Sequence, residues 1–194
     1  IILCMPIPHK PANTEVGIHE VIKNRWSPRS FDETYEIEND KITSILEAAR
    51  WSPSSKNSQP WRFLVGKRND ENFKAFSSTL SGFNTEWAPN ASAMILVCAY
   101  GNPVTKDEIF DSGLAVGSIT FQIYSMGLFA HQMAGFSKNK IKELFNLSEE
   151  FEPLVIIAVG KISDSTKLVK DLEERELAPR TRKSLDKLMI QGLH

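Results

Sequence analysis

The sequence predicts a domain that mixes helices with strands, in either the α+β or the α/β class. Three apolar runs have the length of strands, namely residues 62–67, 92–100 and 154–162. Segments whose apolar residues recur at helical spacing separate these runs along the chain. With 194 residues, 41% of them hydrophobic, the chain is long enough for one domain with a sizeable core.

The first helix is predicted to have Thr14 as its cap and to end at Ser27-Pro28. We place the end there because a proline pushes the preceding residue out of the α region. Arg25 would then lie on the last turn of the helix. The buried stripe would comprise the apolar residues at helical spacing, Ile18, Val21, Ile22 and Trp26.

Asn39 or Asp40 is predicted to cap the next helix. Further helices are predicted at 70–81, after Ser137 as a cap, and at 167–177 in the charged tail. Each of the first three carries apolar residues at helical spacing, and these should face the core. They are Ile42, Ile45, Leu46 and Ala49 in one, Phe73 and Phe76 in the next, and Ile141, Leu144 and Phe145 in the last.

The segment 107–128 is also helical in pattern, but it is apolar on nearly all sides. Such a helix is either buried in the core or lies in a subunit interface. Gly113 and Gly117 are four residues apart and would let another element pack closely.

The N-terminal residues 1–13 are predicted to form an extended arm, because three prolines block a helix there. This stretch is too short and too rich in proline for a signal peptide. Of the two cysteines, Cys4 lies in the arm, and Cys98 lies in an apolar run that favours a buried, reduced thiol. A reducing, cytoplasmic location is the best fit.

Composition argues against several classes of protein. The formal net charge of −1 disfavours a nucleic-acid binder that works through bulk electrostatics. No apolar stretch reaches the length of a membrane span. The four histidines show no metal-ligand spacing, and His131, in an apolar segment, is predicted to be a satisfied core or pocket-wall residue.

Five polar segments interrupt the apolar scaffold. They are Arg25, Ser27 and Arg29 in "NRWSPRSF", the loop 52–60, Asn84, the pair Ala134-Gly135, and Arg180 with Arg182 in the tail. Taken singly, they are explained as cations near a helix C-terminus, a serine-rich surface loop and a solvated or disordered tail. Taken together, four arginines and several hydroxyls without acids nearby indicate a bound phosphate group attached to a larger polar ligand.

These segments resemble the motifs of the nitroreductase family of flavoproteins. "RWSPRSF" is similar to the family's Arg-x-Ser-x-Arg/Lys-x-Phe, and "SPSSKNSQPW" is similar to its Pro-Ser-Ser-x-Asn-x-Gln-Pro-Trp loop. "GLFAHQMAGF" resembles its Gly-Leu…Gly-Phe segment, and "PRTRKSL" resembles its C-terminal basic motif. Their order and spacing agree from about residue 16 to residue 190. The first two motifs together are specific, whereas the last two alone would not be.

The resemblance implies an α+β fold with a central, mostly antiparallel sheet flanked by helices. It also implies an intertwined homodimer with two FMN molecules at the interface. Residues 14–194 would form a single FMN-binding domain that includes the basic tail, preceded by the arm at 1–13.

The resemblance further implies which residues bind FMN. Arg25, Ser27, Arg180 and Arg182 would hold the phosphate and ribityl chain, and Arg29 would reach the pyrimidine end of the ring and tune it. Asn84 would meet the polar edge of the ring, and the backbone at Ala134 and Gly135 would face N5. The remaining members of the set are Trp26 and, from the partner subunit's loop, Pro53, Ser54, Ser55, Asn57 and Gln59.

The implied function is an FMN-dependent oxidoreductase with NAD(P)H as electron donor. Hydride would pass through flavin N5 to a nitroaromatic, a quinone or a similar small oxidant, by a ping-pong mechanism without a catalytic side chain. Two positions depart from the family pattern, since some relatives carry a lysine where Trp87 aligns and a glutamate at Ala134. The alternatives are a flavin-binding protein with a narrower task and little NAD(P)H turnover, or a non-enzymatic dimer whose arginines only cap helices.

Overall fold

A computed structural model of the chain describes residues 8–191. Its centre is a sheet of four strands, β1 (Trp61–Lys67), β2 (Ala93–Tyr100), β3 (Phe129–Met133) and β4 (Phe151–Gly160). The strand order is β1-β2-β4-β3, and every neighbouring pair is antiparallel. The prediction of an α+β fold with an antiparallel sheet is therefore confirmed, and so are the three predicted strands.

The interior strand β2 divides the core into two halves. Alternate residues of a strand point to opposite faces, so Met94, Leu96 and Cys98 pack into one cluster and Ile95 and Val97 into the other. All of them are buried, because helices cover both faces of the sheet. This explains why β2 reads as a continuous apolar run and not as an alternating one.

Seven helices flank the sheet in the described chain. They are α1 (Glu20–Asn24), α2 (Asn39–Arg50), α3 (Glu71–Thr79), α4 (Asn84–Trp87), α5 (Lys106–Ser125), α6 (Lys138–Leu144) and α7 (Lys170–Leu177). Residues of α2 and α5 contribute to the core on one face, and residues of α3, α4 and α6 contribute to the core on the other. The predicted inward positions Ile45, Phe76 and Ile141 are fully buried, which confirms the orientation of α2, α3 and α6. Leu144 was expected to face the core as well, but it is 48% exposed because it lies at the C-terminal end of α6.

The prediction for the first helix was wrong. The helix begins at Glu20, after His19 as its cap, and not after Thr14. The backbone N–H of Ala12 donates to the carbonyl of Lys23 over 2.7 Å, so the chain turns back on itself before the helix begins. Two members of the expected stripe are exposed, Ile18 at 38% and Ile22 at 46%, whereas Trp26 is buried beyond the helix end.

Smaller differences concern helix ends. The cap of α2 is Glu38, one residue before the predicted position, and α5 ends at Ser125 because Gly127 adopts a positive φ of 71°. Cys98 is a free, buried thiol, as predicted, and burial raises its pKa to about 12, which disfavours the reactive thiolate form. Cys4 and most of the predicted arm lie outside the described residues, and residues 8–13 contain neither helix nor strand.

No helix in the described part of the chain is long and apolar enough to cross a bilayer. Within the same residues, no group of three or more His, Cys, Asp or Glu side chains is placed to hold a metal ion.

Candidate functional site

A cleft of about 280 Å³ lies where three distant segments of the chain meet. The segments are the stretch around Lys10, the residues 25–29 that follow α1, and the residues 175–182 at and after the end of α7. Six cationic side chains line the cleft: Lys10, Arg25, Arg29, Arg175, Arg180 and Arg182. No acidic residue is among its lining residues. The structure therefore brings six of the predicted FMN-binding residues together, Arg25, Trp26, Ser27, Arg29, Arg180 and Arg182.

Hydrogen bonds to backbone carbonyls hold the three segments in place. Arg180 Nη1 donates to the carbonyl of Lys10 over 2.8 Å and to the carbonyl of Lys23 over 2.7 Å. Lys10 Nζ donates to the carbonyl of Glu176 over 2.6 Å and lies 4.6 Å from the centre of the Trp26 ring. The tail is thus folded back onto the start of the domain, as a clamp would require.

Arg25 is a cleft cation whose guanidinium is not fully satisfied within the described part of the chain. It follows α1 as its C-cap and is partly buried. Its Nε is buried and has no hydrogen-bond partner. Burial lowers the pKa of Arg25, and the positive charges of Arg180 and Arg182 lower it further. A buried, unpaired N–H of a charged group is costly unless a partner binds there, so this donor fits an anion.

Arg29 differs from Arg25 because it has an acidic partner, which corrects the expectation that no acid lies near the arginines. Its Nη1 lies 3.7 Å from Oε2 of Glu176, and Glu176 is fully buried. Sequence reasoning missed Glu176 because the tail helix contains several acids of similar appearance. The available signal was its spacing of four from Leu172, which is also buried and places both on one helix face.

A second group joins Asn84, at the start of α4, to Gly135, after β3. Asn84 Nδ2 donates to the carbonyl of Gly135 over 3.2 Å, and the Ser81 N–H donates to the same carbonyl over 3.0 Å. A Cβ added to Gly135 would lie 2.8 Å from Asn84 Nδ2 and would displace the amide, so this contact requires glycine. Ala134 is exposed beside it.

The predicted loop of residues 53–59 lies apart from the cleft within one chain. Its Ser55 N–H donates to Oδ2 of Asp111 on α5 over 2.9 Å, and Ser52 Oγ lies 2.7 Å from Ser118 Oγ on the same helix. Asn57 and Gln59 adopt positive φ and their side chains are exposed. The structure therefore does not bring Pro53, Ser54, Ser55, Asn57 or Gln59 to the cations of their own chain.

Comparison with known proteins agrees with the motifs and the fold. The sequence model of the Nitroreductase family matches residues 22–95. The oxygen-insensitive NAD(P)H nitroreductase of Salmonella typhimurium is 33% identical, over 75% of this chain and 88% of that protein. The chain belongs to the nitroreductase family.

Solved structures extend the likeness over nearly the whole chain. The crystal structure of an oxidoreductase containing FMN is 32% identical, with a TM-score of 0.85, and the match covers 93% of this chain and 94% of that one. A nitroreductase family protein from Clostridium novyi is 26% identical, with a TM-score of 0.66, over 80% and 89% of the two chains. The resemblance inferred from four short motifs is confirmed.

The two positions at which this chain departs from the family pattern, Trp87 and Ala134, lie in different surroundings. Trp87 is fully buried, with its ring centre 6.0 Å from that of Phe31 and 4.4 Å from that of His131. It is a core residue and contributes no charge to the cleft. Ala134 keeps the backbone at its position but offers no polar side chain.

His131 lies on β3 behind the cleft, and it is satisfied, as predicted. Its Nδ1 lies 2.9 Å from the carbonyl of Pro28. Because a carbonyl can only accept, Nδ1 carries the proton when the ring is neutral. Burial lowers the pKa of His131 to about 4, and the positive charges of Arg29 and Arg25 act in the same direction.

We expect His131 to make the stability of the protein depend on pH. A histidine with a depressed pKa in the folded state stabilises above its unfolded pKa of 6.5, and this stabilisation is lost as the pH falls towards the folded value of about 4. Between neutral pH and about pH 5, wild type should therefore lose about 2 kcal/mol more unfolding free energy than His131→Gln. Urea unfolding at both pH values measures this difference.

The exposed His9 provides the control, since His9→Gln should lose stability in parallel with wild type. Equal pH dependence of wild type and His131→Gln would contradict a neutral, buried His131.

Proposed function

We propose that this chain is an FMN-dependent oxidoreductase that takes electrons from NADH or NADPH and passes them to a small oxidant such as a nitroaromatic or a quinone. The observation that carries the proposal is the buried, unpaired Nε of Arg25 in a cleft lined by cations. Two relatives add support, since one is named as an NAD(P)H nitroreductase and another as an oxidoreductase containing FMN.

The phosphate of FMN suits the cation cleft. A phosphate monoester is close to a dianion at neutral pH and binds best to several charged donors. Arg25 offers its unpaired N–H, and Arg182 is exposed at the mouth of the cleft. Arg180 Nη1 donates to two backbone carbonyls, and the other N–H groups of this guanidinium remain available. We therefore assign Arg25, Ser27, Arg180 and Arg182 to the phosphate and ribityl chain, with Trp26 as the buried floor.

The isoalloxazine ring is assigned to the residues beyond the phosphate. Arg29 would face the pyrimidine end, where a fixed positive charge favours the reduced ring. Asn84 would meet the polar edge, and the backbone at Ala134 and Gly135 would orient the reacting atom. When bound, FMN supplies the hydride chemistry, and the side chains supply orientation and charge without acting as acid or base.

A homodimer would complete this site. α5 presents apolar side chains to solvent within one chain, with Phe110 exposed at 68%, Leu114 at 36% and Phe121 at 41%. Gly113 and Gly117 have no heavy atom within 4 Å of an added Cβ, so this face is open. We propose that two copies pack through α5, and that the 53–59 loop of each copy covers the FMN of the other.

Anaerobic reduction tests the function. The purified protein, incubated with FMN, should show a flavin absorption band that bleaches when NADH or NADPH is added without oxygen. The preferred donor is the one that bleaches it faster at equal concentration. A band that persists with both donors would contradict the reductase proposal and favour a flavin-binding protein with a narrower task. The absence of bound FMN would refute the assignment of the cleft.

The dimer makes a second prediction. Leu114→Glu should convert the protein to a monomer, because it places a charge in the centre of the α5 face. The variant should also bind FMN at least about tenfold more weakly, since the partner's loop is lost. Sedimentation velocity and FMN titration measure the two effects.

Leu144→Glu is the matched control, because Leu144 is similarly exposed on α6, on the other side of the sheet. This variant should remain dimeric and keep its affinity. A wild-type protein that is monomeric while binding FMN stoichiometrically would contradict the shared site.

A further inference from the structure

Glu176 is a buried acid directly behind the cation cleft, and its geometry is specific. Its Oε1 accepts from the backbone N–H of Arg29 over 2.9 Å and from that of Ser30 over 3.1 Å. Its Oε2 lies 3.0 Å from the Arg29 backbone nitrogen and 3.7 Å from Arg29 Nη1. One side chain from α7 thus contacts both the backbone and the guanidinium of a residue 147 positions earlier in the sequence.

Stability alone does not account for this arrangement. Removing a carboxylate from water is costly, and apolar replacement of a buried ion pair is often neutral or stabilising. Burial raises the pKa of Glu176, which reflects the cost of removing the carboxylate from water. The backbone N–H groups of Ser30 and Arg29 and the charges of Arg29 and Lys10 lower this pKa and so offset part of that cost. What the carboxylate provides, and an apolar side chain would not, is a fixed position for two successive amide groups and for one guanidinium.

The position of Glu176 in the chain links two halves of the cleft. It lies in the last turn of α7, immediately before the residues 178–182 that line the cleft. Its own carbonyl accepts from Lys10 Nζ. Holding Glu176 against Arg29 and Ser30 therefore also fixes where the tail leaves the helix, and so the position of Arg180 in the cleft.

We propose that Glu176 is a positioning residue that orients Arg29 towards the flavin ring and anchors the tail that completes the phosphate site. The proposal rests on the proposed function for its effect on the flavin. Its effect on the chain itself is independent of any ligand.

Glu176→Gln separates this role from two simpler ones. Glutamine keeps the shape of the side chain but has only one acceptor oxygen, and its NH₂ group would face the donors of Arg29. If Glu176 only filled space, the variant would behave as wild type. If Glu176 acted only as a negative charge, the variant would leave the cleft more positive, bind FMN more tightly and raise the flavin reduction potential. A positioning role predicts the opposite changes, namely weaker FMN binding and a lower reduction potential.

We expect Glu176→Gln to bind FMN at least about tenfold more weakly than wild type and to lower the reduction potential of bound flavin. Weaker binding follows from the loosened tail, and the lower potential follows because Arg29 is displaced from the ring. FMN titration and spectroelectrochemistry of the loaded protein measure the two effects. Tighter binding, a raised potential or wild-type values of both would overturn the proposal.

A measurement without FMN keeps the two proposals distinguishable. Hydrogen–deuterium exchange of the FMN-free protein should show faster exchange in Glu176→Gln at residues 25–31 and 178–183, with unchanged protection in β2. Unchanged exchange at 25–31 would overturn the anchoring role even if FMN never binds. If wild type does not bind FMN but the exchange result is as predicted, the proposed function is refuted and the anchoring role of Glu176 stands.

Two further variants control for folding and for charge. Glu174→Gln removes an exposed acid from the same helix and should leave affinity, potential and exchange at wild-type values. Glu176→Asp keeps the charge but is one methylene too short to reach both amides, so it should also weaken FMN binding. Full affinity in Glu176→Asp would overturn the positioning role, and this variant decides the question if Glu176→Gln does not fold.

Discussion

The cleft depends on cationic side chains that the chain holds close together. Six cationic side chains line one cleft, and in water such groups repel one another. The chain keeps them in place by binding them to neutral carbonyls, as Arg180 is bound to those of Lys10 and Lys23, and by burying the carboxylate of Glu176 against Arg29. These contacts compensate several of the cations but leave the Nε of Arg25 without a partner. We propose that the resulting positive cleft is a site for an anion, and the phosphate of FMN would match it in charge and in number of acceptors.

The sheet and its helices are the rigid part that carries this cleft. β2 and β4 are the two interior strands of the sheet, and the polar segments all lie outside the strands. Hydrogen bonds fix the residues after α1, the turn after β3 and Arg180 of the tail after α7 to other parts of the chain. A ligand bound among them would therefore meet preorganised donors, which lowers the entropic cost of binding.

Sequence reasoning predicted most of the fold but only part of the site. The long apolar run of β2 and the helical periodicity of α2 and α3 are local signals, and the structure confirms them. The first helix was misjudged because the turn between Ala12 and Lys23 is set by a hydrogen bond that no local pattern reveals. Glu176 could not be chosen from the acids of its helix because its role is set by a residue 147 positions away. The 53–59 loop was recognised by its sequence motif, yet none of its residues lines the cleft of its own chain.

FMN and riboflavin differ only in the phosphate, so comparing their affinities shows whether the cleft recognises that group. We expect wild type to bind FMN at least about 100-fold more tightly than riboflavin. We also expect this ratio to fall at high salt and in Arg25→Ala. Equal affinity for the two ligands would show that the converging cations have no part in binding.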